Sequence, residues 1–192
     1  MGWQPQDELA QSVALEVLLH GPLGRSELAR RLSLAPATLT RISADLIASG
    51  LLTEVRTTRT GTSGRPSIPL AVVPDSHHFL GIKVADHCLT ATVINLKAEV
   101  LTYRELPLSG HSPRDIVEGI AFLTDQAEES LHIDAIGVGV GGVVTDRGIV
   151  RSAPFLMWED VDLAELLRTR IGIPVFVAND LTAYTQAQHW FD

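Results

Sequence analysis

Between Gly21 and Pro66 the chain carries seven cationic side chains, all arginine, against three acids. Two of their settings suit recognition chemistry. In PATLTRISADLIA, helical spacing keeps Thr38, Thr40 and Arg41 off the apolar face, where they can hydrogen-bond phosphates or base edges. The arginine fork in particular matches the two acceptors of guanine. Asp45 is foreign to a phosphate-facing surface and is expected to point away or to pair with an arginine. In RTTRTGTSGRPS, Arg59 and Arg65 flank Gly61 and Gly64. Glycines let a backbone approach closely, and a protruding arginine suits a narrow minor groove.

The elements that would hold these groups follow from periodicity. Residues 7–19 read as a helix with Leu9, Val13 and Val17 on its apolar face and Leu15, Leu18 and Leu19 beside them. Gly21-Pro22 ends it, because proline disfavours helix in the residue before it. Ser26 is expected to cap a short helix, SELARRL, that buries Leu28, Ala29 and Leu32. Ser33-Leu34-Ala35 forms a turn, and Pro36 suits a first helical position. A third helix, 36–48, buries Leu39, Ile42, Leu46 and Ile47, and Gly50 closes it in the left-handed conformation. Leu51–Val55 and Ile68–Val73 are strand-like on either side of the basic loop, which makes a hairpin wing. Three short helices and a hairpin are the geometry that lays a helix in the major groove of duplex DNA. A three-helix packing module with solvated arginines is the bland alternative; the basic, glycine-rich loop argues against it.

Net charge is −8, which as an average argues against nucleic acid. The average conceals an asymmetry. Up to Pro66 seven cations face six acids, whereas the remainder holds eight against seventeen. A DNA-facing head on an acidic body is implied. With 45% apolar and 20% charged residues the chain belongs to the folded class. No run approaches the ~20 apolar residues that cross a bilayer. MGWQPQDELAQ lacks a secretion signal, so a cytoplasmic location and no membrane partner are expected. The single cysteine, Cys88, rules out an intrachain disulfide or multi-cysteine zinc site and is expected to pack in the core.

Pro74-Asp75-Ser76 reads as a linker, giving domains 1–74 and 75–192. Beyond it FLGIKVA, CLTATVINL and EVLTYRELPL are three strands in a meander. Residues 112–131 read as a helix, DAIGVGVGGVV as a buried strand entering a glycine turn, and Val161–Ile171 as another helix. Pro174–Ala178 reads as a strand and Leu181–Trp190 as a helix.

SELARRLSLAPATLTRISADLIASGLL followed by GTSGRPSIPL resembles the N-terminal region of repressors of the ROK family, which contains sugar-responsive repressors and sugar kinases. IGVGVGGVV, SAPFLMWEDVDL and IGIPVFVANDLTAY follow in that family's order. The resemblance implies a winged helix-turn-helix followed by the first lobe of an actin-like, RNase H-like α/β domain. It implies that Asn179 and Asp180, with Gly142, contact a sugar; in family kinases the matching aspartate deprotonates the sugar hydroxyl. An Asn-Asp pair at a strand end can also cap the helix that follows it, and both roles are compatible.

Departures from the family pattern carry their own expectations. The kinases' Asp-x-Gly-Gly-Thr phosphate loop corresponds to Gly81–His87, which lacks both glycines and the threonine, so no ATP site is expected. Asp86 and His87 are read as turn residues and Lys83 as an outward strand residue. Gly141 stands where the family has proline, and Phe155 stands near the place of a sugar-contacting asparagine. Family members continue through a Glu-x-x-Gly-His motif and a cysteine-rich zinc site into a second lobe. That zinc site would lie beyond Asp192, so no cofactor is expected in this chain. The cleft would be half built, and apolar surface left uncovered would favour association. The resemblance thus implies a sugar-responsive transcriptional repressor, acting without catalysis as a homodimer on a near-palindromic DNA operator. A sugar kinase with an appended head, and a shortened DNA binder that senses no ligand, remain the alternatives.

Overall fold

The computed structural model describes residues 8–55 and 68–191. They fall into two compact units, Met1–Ser76 and His77–Asp192.

In the first unit α1 (Glu8–His20), β1 (Leu23–Gly24), α2 (Arg25–Arg31) and α3 (Pro36–Ala48) precede the hairpin of β2 (Leu52–Glu54) and β3 (Pro69–Val72). The third helix has the predicted bounds. Pro36 occupies its first turn, where an N–H would lack a partner anyway. Gly50, at φ +81°, lets Leu51 N–H return to the Leu46 carbonyl. Leu39, Ile42 and Leu46 are buried against α1 and α2, together with Val13, Val17 and Leu28.

Three local expectations are corrected. Leu9, Leu15 and Leu19 stay exposed, because α1 meets α3 and β3 along the Val13–Val17 stripe alone. Ser26 does not cap α2: the helix starts one residue earlier, with Gly24 at the N-cap and no side-chain cap. The cause is β1, which the sequence reading missed. Leu23, almost fully buried, pairs with Leu70, so the chain passes directly from strand into helix. The sheet of this unit therefore has three strands in the order β1-β3-β2.

A 3-10 turn, Pro74–Ser76, precedes the second unit. There β4 (His78–Val84), β5 (Cys88–Asn95) and β6 (Val100–Pro107) form the predicted antiparallel meander. The helix α4 (Pro113–Glu128) follows, held at its start by a reciprocal Ser112–Asp115 capping box. Next come β7 (Ala135–Val140), β8 (Val143–Val144), β9 (Ile149–Ala153), β10 (Trp158–Asp162), α5 (Leu163–Ile171), β11 (Val175–Asn179) and α6 (Asp180–Phe191). The main sheet has the order β11-β7-β4-β5-β6, with β7 parallel to both its neighbours.

Alternation places Leu80, Ile82, Leu89, Val93, Ile136 and Val138 on one face, buried with α4 and α5. The other face carries Gly81, Lys83, Gly137 and Gly139, and α6 begins over it, with Asp180 against Gly139. Lys83 is exposed, as its strand position predicts.

Two further corrections belong here. The helix expected from Val161 begins at Leu163, since Trp158–Asp162 pairs with β9 in a small sheet of order β10-β9-β8. Asp162 caps the helix instead, accepting from Glu165 N–H at 3.1 Å. The buried Trp158 indole donates to the His111 carbonyl at 2.6 Å, fixing this strand to the loop before α4. Cys88 is half-buried at the start of β5 rather than part of the core.

Candidate nucleic-acid interface and ligand site

The recognition candidates on α3 are presented unequally. Thr40 and Arg41 are exposed, whereas Thr38 is half-buried. Thr40 already donates its hydroxyl proton to the Pro36 carbonyl at 2.8 Å, a one-turn bond back along the helix. It therefore offers an incoming donor its lone pairs rather than its hydrogen. Arg41 pairs with Asp45 at 3.4 Å, the arrangement expected for that acid. Both side chains are more than 60% exposed, so the pair is weak enough to open for a phosphate. Arg59 and Arg65 lie outside the described residues; the strands that flank their loop are paired from Leu52↔Val72 to Glu54↔Leu70.

The excess of arginine is less available than composition implies. Arg31 links α2 to α1 through Glu16 at 2.7 Å and to Glu27 at 2.9 Å. These hydrogen bonds, to Glu16 first and Glu27 second, raise its pKa further above the working range. Arg25 is bound to Glu54 at 2.7 Å. The Arg31–Glu16 and Arg25–Glu54 bonds join segments distant in the chain, which local spacing does not announce, whereas Arg31–Glu27 is an i,i+4 pair within α2.

In the second unit Asn179 and Gly142 are brought together. Asn179 Nδ2 donates to the Gly142 carbonyl at 2.8 Å, while its Oδ1 accepts from the N–H groups of Leu181 and Thr182, both at 3.0 Å. One amide thus caps α6 and ties it to the glycine turn after β7. Gly142 has φ +145°, and a Cβ there would lie 2.2 Å from the Ser152 carbonyl oxygen. Asp180 accepts from Leu181 N–H with one oxygen. It lines an open cavity of about 860 Å³ on the sheet face, together with Lys83, Thr90 and Tyr184. Neither Asn179 nor Gly142 lines that space. Phe155 lies against Gly141, at 3.4 Å from a Cβ built there.

The β4–β5 turn consists of Ala85, Asp86 and His87, and three of its backbone groups are engaged. Ala85 N–H bonds the Cys88 carbonyl, Leu108 N–H bonds the His87 carbonyl, and the His111 ring contacts the Asp86 carbonyl. Among the described residues no group of three metal-ligating side chains occurs, and no helix is long and apolar enough to cross a membrane.

The model of the ROK family matches residues 79–192, well over half of the sequence. The chain belongs to the ROK family. NagC of Escherichia coli K12, a DNA-binding transcriptional dual regulator, is 30% identical over 178 residues, which cover 90% of this chain and 44% of NagC. The chain thus spans about half the length of the curated relatives it matches. The crystal structure of a ROK family transcriptional regulator, a homolog of the E. coli MLC protein, matches with a TM-score of 0.77 at 26% identity. That match covers 96% of this chain and 49% of the other. A ROK family glucokinase from Streptomyces griseus, in complex with glucose and AMPPNP, matches with a TM-score of 0.56 at 25% identity, over 59% of this chain and 36% of its own.

Within this ROK chain the Asn179 cap can be tested separately from any ligand. Asn179→Ala is expected to cost the second unit about 1 kcal/mol, the usual value of an N-cap. Hydrogen exchange should quicken most at Thr182, because Leu181 N–H keeps Asp180 as an acceptor. Unchanged protection at Thr182 would refute the capping role.

Proposed function

We propose that this ROK chain is a sugar-responsive transcriptional repressor that binds duplex DNA through its first unit, as a homodimer on a near-palindromic operator. The observation that carries the reading is the exposed Thr40–Arg41 surface of α3, in a unit whose β2 and β3 pair antiparallel on either side of the basic loop. α3 would enter the major groove, with Arg41 reading a guanine and Arg59 and Arg65 reaching the minor groove from the wing. The relatives' regulatory names and the overall structural likeness support it.

Asp180, with its uncommitted carboxylate oxygen, is the proposed sugar contact of this chain, and Asn179 and Gly142 hold it in place. The second unit's likeness to a glucokinase supports a sugar as the effector class. No phosphoryl transfer is proposed. The β4–β5 turn, Ala85-Asp86-His87, has no glycine, so close backbone approach of its N–H groups to a nucleotide phosphate is not provided. A sugar that binds the two states of the dimer unequally would release the operator by the ratio of its two affinities.

The test begins with duplexes enriched by the protein from a randomised 30-base-pair pool, a length on the order of three helical turns. Arg41→Ala should weaken binding to the enriched duplex by about 1–3 kcal/mol and relax preference at one base-pair position. A hexose and amino-sugar panel should then lower the affinity of the unmodified protein. An Arg41→Ala protein with unaltered affinity and base preference would defeat the proposal.

A further inference from the structure

Arg25 is the first residue of α2, yet its guanidinium joins three elements. Nε donates to Ser43 Oγ of α3 at 3.2 Å, and Nη2 donates to Glu54 Oε1 at the end of β2 at 2.7 Å. Ser43 is completely buried and passes its own proton to the Thr40 carbonyl at 3.1 Å. A continuous chain of donors therefore runs from Arg25 to the backbone of Thr40, one residue before Arg41. Glu54, at the other end of the fork, is the last residue of the strand that leads into the wing loop. Only about a third of the Arg25 side chain is exposed, far less than that of Arg41.

We infer that Arg25 is a positioning residue that sets the angle between α3 and the wing root, rather than a cation that contacts phosphate. The inference rests on the DNA-binding reading above and deepens it. Specific binding needs the helix and the wing in their grooves together. A head with a looser angle is competent for only a fraction of the time, and its apparent affinity falls by that fraction. Nonspecific binding is held by phosphate charge alone and tolerates a range of angles. Lysine at this position keeps the charge but cannot replace a planar fork with two directed donors. The Glu54 carboxylate is the sharper discriminator. As a mere negative charge near DNA, its removal should tighten binding; as half of a clamp, its removal should weaken it.

The experiment uses the full 192-residue protein, the enriched duplex and a mixed-sequence duplex of equal length, titrated across 50–200 mM salt. Arg25→Lys and Glu54→Gln should each lose about tenfold in affinity for the enriched duplex, the size of one charge-assisted hydrogen bond. Affinity for the mixed duplex and the salt slope should stay as in the unmodified protein, and the double variant should lose little more than either single one. Glu54 is partly exposed at a strand end, so Glu54→Gln keeps the test sound if Arg25→Lys folds poorly; circular dichroism checks both. Arg25→Lys binding as the unmodified protein does, or Glu54→Gln binding more tightly, overturns the inference. So does Arg25→Gln if it lowers the salt slope by about 0.9, the signature of one lost phosphate contact. If the unmodified protein enriches no duplex at all, the DNA-binding reading fails and the inference falls with it; if it does and the variants match it, the inference alone is overturned.

Discussion

Gly142→Ala should destabilise the second unit by 3 kcal/mol or more and detach the glycine turn from α6. Two costs combine. A backbone held at φ +145° is one that side chains with a Cβ rarely adopt, at about 1–3 kcal/mol. The added methyl would then lie 2.2 Å from the Ser152 carbonyl oxygen and 3.1 Å from Ala153 Cα, so β9 must move as backbone. No flexible side chain can yield in its place. The Gly142 carbonyl is also the acceptor for Asn179, so the shift carries into the cap of α6 and the setting of Asp180. Hydrogen exchange resolved by residue is the right measurement, because two units need not unfold together. Protection should collapse along β8, β9 and the first turn of α6 while the first unit stays protected. A variant whose β9 amides exchange at the original rate would show that the turn has room the structure denies it. Gly141→Ala is the matched control: its methyl would meet only the Phe155 ring at 3.4 Å, so the effect should be far smaller.

On the proposed function, Leu39→Ala should remove duplex binding without itself touching DNA. Leu39 is 1% exposed, on the buried face of α3, which packs on α1 and α2. Truncating a buried leucine costs about 2–5 kcal/mol in lost transfer energy and residual cavity. The first unit has 76 residues, and units of that size bury too little surface to have stability in reserve. The expected result is a partly unfolded head on an intact second unit, with enriched-duplex affinity down at least a hundredfold, and Leu39→Met retaining most of it. Anisotropy titration with circular dichroism checks this. Native helicity combined with lost binding would mean that Leu39 acts at the interface, contrary to its burial.

The first-unit helices were readable because each is marked locally. α3 has its proline at the start, its Leu39–Ile42–Leu46 spacing and its Gly50 stop, and the structure reproduces its bounds. Strands β4 and β5 of the meander were readable from alternation, since one face of the sheet is covered by helices and the other is more open, whereas β6 is exposed along almost its whole length. β1 and β10 were not readable. Each is too short or too polar to show a period, and each exists because a partner strand offers a ladder: Leu70 to Leu23, Ser152 to Glu159. Two helix starts were misplaced for a related reason. Ser26 has capping chemistry and Val161 opens an apolar run, but strand pairing nearby decides where those helices begin.

Among the candidate site residues, the sequence could say which types could recognise DNA or a sugar but not which had hydrogens to spare. Thr40 spends its proton inside the helix, Arg25 and Arg31 spend their forks between segments, and Asn179 spends its amide on a cap and a turn. Sequence alone determined the three-helix pattern of the first unit, the two-part charge distribution, the strands of the meander and the ROK resemblance, because local spacing and composition encode all of these. Tertiary structure decided the further commitments of Arg31, Arg25 and Asn179, since those partners lie 15, 29 and 37 residues away, where no local spacing reveals them.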